Sequence, residues 1–261
     1  GASDSHLKAL RSAHARIRGQ ASQFGSQRLG YLLRSKERDD PAIPVHVLPL
    51  NAWARTVWDD SVPISDLEVA MQWAEDRRLH SKSPWHRVLG PAGAVVTSLA
   101  RLGWEVHGAT KWVDDQGSSI NLLECCPKSL TVLVERSVHR WTWRTWATDH
   151  PEFAHLSDGA DLGPIVSLIN RSPTDCWGPA EQGCLEAVLV GGAPSQQKLE
   201  AADMAIDDRC QWCHAEVGSY MHRHWRCDGT RAFRSQYGMP PAVSDAAANC
   251  NDLVDEVALF A

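Results

Sequence analysis

Four side chains near the C-terminal end constrain this chain most: Cys210, Cys213, His222 and Cys227, in the pattern C-x2-C-x8-H-x4-C. Two cysteines with two residues between them reach one side of a metal ion from a single tight turn. The returning His and Cys reach the other side from a short helix or a second turn. Thiolate and imidazole donors suit zinc, and four protein ligands leave no open coordination position, the mark of a structural site. His224 stands two residues nearer Cys227 and is the alternate fourth ligand. Structural zinc in such segments contributes ~10–16 kcal/mol of apparent binding energy, so the segment is expected to be unfolded without metal.

The rest of the chain sets limits on this expectation. At 261 residues it can form one large domain or two small ones with a real core. No stretch approaches the ~18 consecutive apolar residues that a membrane helix needs. Eight cysteines in a chain this long and tryptophan-rich, with no signal peptide, do not form a secreted disulfide scaffold. A reducing intracellular compartment, cytoplasmic or nuclear, follows. The net charge of -6 argues against uniform wrapping on nucleic acid. Cations nevertheless gather in residues 6–38 and around the cysteines, at Arg209, Arg223, Arg226, Arg231 and Arg234.

The periodicity predicts a mainly α protein with a small antiparallel β hairpin and a C-terminal zinc-stabilised module. Residues 1–38 read as a basic helical segment, with a helix from about Ser5 to Gln20 and a short one near Leu29–Leu33. Residues 39–146 read as an α+β domain. Pro44 is expected to keep the chain extended before a short helix from Asn51 to Trp58. Ser65-Asp66-Leu67-Glu68 reads as a capping box, with Ile64 and Val69 as its hydrophobic staple. A helix from Gly90 to Gly103 follows, then short strands with a hairpin near 110–123 and a long helix opened by Pro127. Trp143 and Trp146 lie on a second face of that helix and are expected to meet another element or a protein partner. Residues 147–163 read as a linker, 164–235 as the helical zinc-binding module, and 236–261 as an acidic, poorly ordered tail with a small amphipathic stretch at Leu253–Phe260.

Asp114-Asp115 at the hairpin resembles the paired aspartates that hold magnesium in polymerases. That chemistry needs a further aspartate on a neighbouring strand, and none precedes it, so the pair reads as turn residues. There is no nucleophile elbow, P-loop or dinucleotide fingerprint. No catalytic residue is assigned.

Cys210-x2-Cys213, Gly218, His222-Arg-His-Trp225 and Cys227 resemble the zinc-binding segment of non-LTR retrotransposon polyproteins. In those proteins it follows the reverse transcriptase region and often precedes a ribonuclease H domain. The run Gly90–Gly108 and the tryptophan-rich stretch 141–146 are similar to the region after the polymerase core, so the resemblance covers roughly residues 40–230. It implies the connecting, zinc-binding part of such a polyprotein, without the polymerase aspartates. The partner it implies is nucleic acid, RNA rather than DNA. Arg209, Arg223 and Arg226 would then touch phosphates, and Trp212 or Trp225 would stack on a base. Two other readings stand beside it: a zinc-scaffolded protein-interaction module, and a metal-dependent nuclease using His222 or His224.

Overall fold

The computed structural model describes residues 2–17, 40–81, 85, 88–149, 154, 156–159, 163–169, 171–174, 177–189, 195–219 and 222–236. The expected helix at 29–33, the tail from 237 and the stretch Leu253–Phe260 lie outside these residues. The chain divides into two compact units. The first comprises residues 1–21, 27–146 and 157–159, and the second 22–26, 147–156 and 160–261. The architecture is mainly helical with a small antiparallel sheet, as the periodicity predicts.

In the first unit, helix α1 (Asp4–Ile17) buries Leu7 and Arg11. Arg11 donates from Nε and Nη2 to the two carboxylate oxygens of Asp40, at 2.9 and 2.6 Å. Oδ1 of Asp40 also accepts the amide of Ala42, which starts α2 (Ala42–Trp58). This helix begins nine residues before the expected Asn51, and Pro44 does not keep the chain extended. Pro44 falls in the first turn, where its missing N–H would have no helical partner anyway. Only Pro49 costs a backbone bond, and the buried Leu50, Trp53, Ala54 and Val57 outweigh it.

Helix α3 (Ile64–Leu79) buries Leu67, Met71 and Ala74 at helical spacing, with Ala70 partly buried beside them. The capping box does not form. The helix already starts at Ile64, so Ser65 lies inside the first turn and its hydroxyl sits 3.4 Å from Asp66 Oδ1 rather than capping an amide. The staple fails with it: Ile64 and Val69 are both exposed. Glu68 instead directs its carboxylate at Gly108, whose φ of 136° favours glycine. Helix α4 (Gly90–Leu102) buries Val95, Val96, Leu99 and Leu102 and ends on Gly103 in the left-handed region, as expected.

Strands β1 (Glu105–Val106), β2 (Lys111–Val113) and β3 (Ser119–Asn121) pair antiparallel in that order, with Trp112 opposite both Val106 and Ile120. At the β2–β3 turn, Asp114 Oδ1 accepts the amides of Gln116 and Ser118. The Asp115 carboxylate is buried against helix α5 (Pro127–Asp149) and accepts from Ser137, Arg140 and Arg144. Burial pushes this carboxyl up, but hydrogen bonds from Arg140 and Ser137 and the two guanidinium charges hold it at about 2. Both aspartates are thus committed to the turn and to α5.

On α5, Leu130, Val134 and Val138 join the core. Trp143 and Trp146 are 2% and 6% exposed and stack edge to face at 5.8 Å. The aromatic face expected to meet another element or a partner is therefore buried within the chain, consistent with the large apolar area an indole removes from water. His46 is wholly buried against the edges of Trp85 and Trp141. Neither ring nitrogen has a hydrogen-bond partner among the described residues. Burial first, then the positive charge of Arg101, pushes its pKa down to about 3, so the ring is neutral.

In the second unit, α6 (Gly163–Ile169), α7 (Pro179–Leu189) and α8 (Gln196–Ala201) lead to the cysteine segment. Ser195 caps α8 by accepting from the Lys198 amide. A π-helical turn (His222–Arg226), a 3-10 turn (Asp228–Thr230) and α9 (Arg231–Gln236) complete it. No helix among the described residues is long and apolar enough to cross a membrane.

Candidate metal centre

The loop carrying the first two cysteines is closed at its stem. Arg209 and Val217 form an antiparallel bridge, the Cys210 amide donates to the Glu216 carbonyl at 2.8 Å, and the Gly218 amide donates to the Asp208 carbonyl. Gly218 is needed here, because a Cβ would come 2.6 Å from Gln196 Cβ and 3.1 Å from Cys210 Cα. His214 takes the left-handed conformation, φ 57°, that turns the loop after Cys213, and its amide donates to the Cys210 carbonyl. The π-helical turn presents His222 and delivers Cys227, whose amide donates to the His222 carbonyl. Arg234 ties the far side down by donating to the Cys227 carbonyl and the Thr230 hydroxyl.

These two segments bring one donor atom each from Cys210, Cys213, His222 and Cys227 within 4.8 Å of one another. Cys210 and Cys227 Sγ are 3.6 Å apart, and Cys213 Sγ is 3.2 Å from His222 Nε2. A tetrahedral zinc with sulfur at ~2.3 Å would set sulfurs about 3.7 Å apart, so these spacings fit a metal ion. Cys210, His222 and Cys227 are buried and Cys213 is half-buried, which shields the centre without sealing it. Amides of Ala215 and Glu216 pointing at Cys213 Sγ push this thiol down to about 6, toward the thiolate a metal requires. Burial, and then the neighbouring cysteines, push the Cys227 thiol up. A cation among these sulfurs would reverse that shift.

His222, not His224, is the imidazole that converges on the cysteines. One residue that the spacing did not reveal also belongs to the centre: Glu216 Oε2 accepts from His222 Nδ1 at 2.8 Å. Nothing in the C-x2-C-x8-H-x4-C pattern marks that glutamate.

The residues expected to touch nucleic acid fall on the same segments. Arg209 and Arg226 are exposed and Arg223 is half-buried. Trp212, between the two cysteines, is 47% exposed and lies edge-on to Phe233 at 6.2 Å. Phe233, itself exposed, was not singled out in the sequence, although Arg231-Ala-Phe-Arg234 repeats the mixture of cation and aromatic. The side chain of Trp225 lies outside the described part of the chain.

Compared with known proteins, the chain matches no family model, no curated protein and no solved structure.

Proposed function

We propose that residues 195–236 form a structural zinc module that binds single-stranded nucleic acid, RNA in preference to DNA, within a retroelement-derived protein. Cys210, Cys213, His222 and Cys227 hold the zinc, which supplies a fixed cross-link between the two segments. One observation carries the nucleic-acid part: the exposed Trp212–Phe233 pair sits on the segments that also carry Arg209 and Arg226. Flat aromatic faces stack on unpaired bases, worth ~1–3 kcal/mol per base, while guanidinium groups neutralise phosphates. The likeness of the cysteine segment to non-LTR retrotransposon polyproteins supports template RNA as the partner.

Four protein ligands complete a tetrahedral shell and leave no position for an activated water, which speaks against a metal-dependent nuclease. The same exposed pair also suits a protein partner, and that second reading predicts weak, salt-independent binding to nucleic acid. Fluorescence anisotropy with single-stranded RNA and DNA of equal length, over a range of salt, separates the two. The nucleic-acid reading predicts tighter binding to RNA, a log K that falls by about 0.7 per phosphate contact for each decade of salt, and a ~5–150-fold loss on Trp212→Ala. Absence of salt-dependent binding would overturn it.

A further inference from the structure

We infer that Glu216 is a positioning residue of the metal centre, fixing which nitrogen of His222 faces the metal and raising the affinity for it. The inference rests on the zinc reading above. A carboxylate can only accept, so the bond at 2.8 Å places the imidazole proton on Nδ1. The lone pair is then on Nε2, the atom 3.2 Å from Cys213 Sγ. A flipped ring would exchange Nε2 with Cε1 and Nδ1 with Cδ2, turning carbon toward Cys213 and losing the glutamate.

The backbone makes the arrangement specific. Glu216 is held at the stem of the cysteine loop, where its carbonyl accepts the Cys210 amide. Its side chain crosses to the π-helical turn, so one loop supplies two thiolates and the group that orients the imidazole arriving from the other segment. Carboxylate partners of this kind raise ligand basicity and restrict the ring, and their removal costs 10–100-fold in metal affinity. Glu216 is 69% exposed on its side chain, and water competes for the carboxylate, which puts the effect at the low end of that range.

A Glu216 that only stabilised the fold of the cysteine loop would act whatever residue stood at 222; a carboxylate that bonds His222 Nδ1 acts only on an imidazole. The test is zinc affinity of the full chain, by competition with a chromophoric chelator, for Glu216→Ala in the wild-type and His222→Cys backgrounds. Expected is a loss of about tenfold in the wild-type background and no change beside a cysteine, which has no ring to orient. Glu216→Gln keeps the volume and an oxygen acceptor, so it should lose about threefold with His222 present and nothing without it. It also carries the test should the alanine variant fail to fold. Wild-type affinity in Glu216→Ala, or equal losses in both backgrounds for either variant, would overturn the inference and leave the zinc reading intact. A wild-type chain that binds no zinc would overturn the zinc reading itself.

Discussion

The two units are held together by different means. In the first, five helices and the sheet contribute to one continuous apolar cluster that includes Leu7, Leu50, Trp53, Leu99, Trp112 and Leu130. Among the described residues of 195–236 in the second, the buried side chains are those of Ser195, Cys210, His222 and Cys227. Three of these four are metal-ligand candidates. The first unit draws its stability from area removed from water. The cysteine segment is too short to enclose a core of its own, and in the proposed reading a metal cross-link takes its place. A change that removes metal and a change that removes apolar volume should therefore strike different halves of the chain.

Chelation should have the largest effect, since ~10–16 kcal/mol of apparent binding energy stabilises a structural zinc segment of this kind. Segment-resolved hydrogen exchange should show the amides of Cys210, His214 and Cys227 losing protection while α4 and β2 keep theirs. Equal loss in both units would break the contrast. The reciprocal change is Leu99→Ala, at a side chain with no exposed surface. It should destabilise the first unit by about 3 kcal/mol in a denaturant titration and leave zinc affinity unchanged.

Two smaller effects sharpen the picture of the first unit. Asp115→Ala leaves Arg140 and Ser137 facing a lost acceptor. Because Arg140 and Arg144 keep part of their surface in water, the expected cost is about 2 kcal/mol, below that of a fully buried pair. His46 provides a pH signature. Its folded pKa of about 3 lies below the unfolded value of 6.5, so the stability it contributes is complete above pH 6.5 and lost as pH falls toward 3. Between pH 7 and pH 5 the loss should be about 2 kcal/mol, and His46→Leu should abolish that component of the pH dependence.

Wherever period and punctuation spoke with one voice, the fold was legible in the sequence. The face Leu67, Met71 and Ala74, the helix end at Gly103 and the strands around Trp112 follow the pattern of their segments. The failures came where a local signal met a stronger tertiary one. Pro44 read as a residue that keeps the chain extended, yet it fits the opening turn of a helix. Ser65 and Glu68 read as a capping pair, but the N-cap position falls on Pro63, two residues earlier, and Glu68 turns to Gly108. In the candidate metal centre, spacing picked out the three cysteines but left His222 and His224 open. Choosing between them took the π-helical turn and the carboxylate of Glu216, neither of which has a periodic signature.

Metal analysis of the purified full chain, wild type beside Cys213→Ser, tests the central claim most directly. One zinc per chain in the wild type, with an affinity lowered by orders of magnitude in Cys213→Ser, is the predicted result. A folded wild-type chain that retains no zinc after purification, and takes up none on titration, would contradict it.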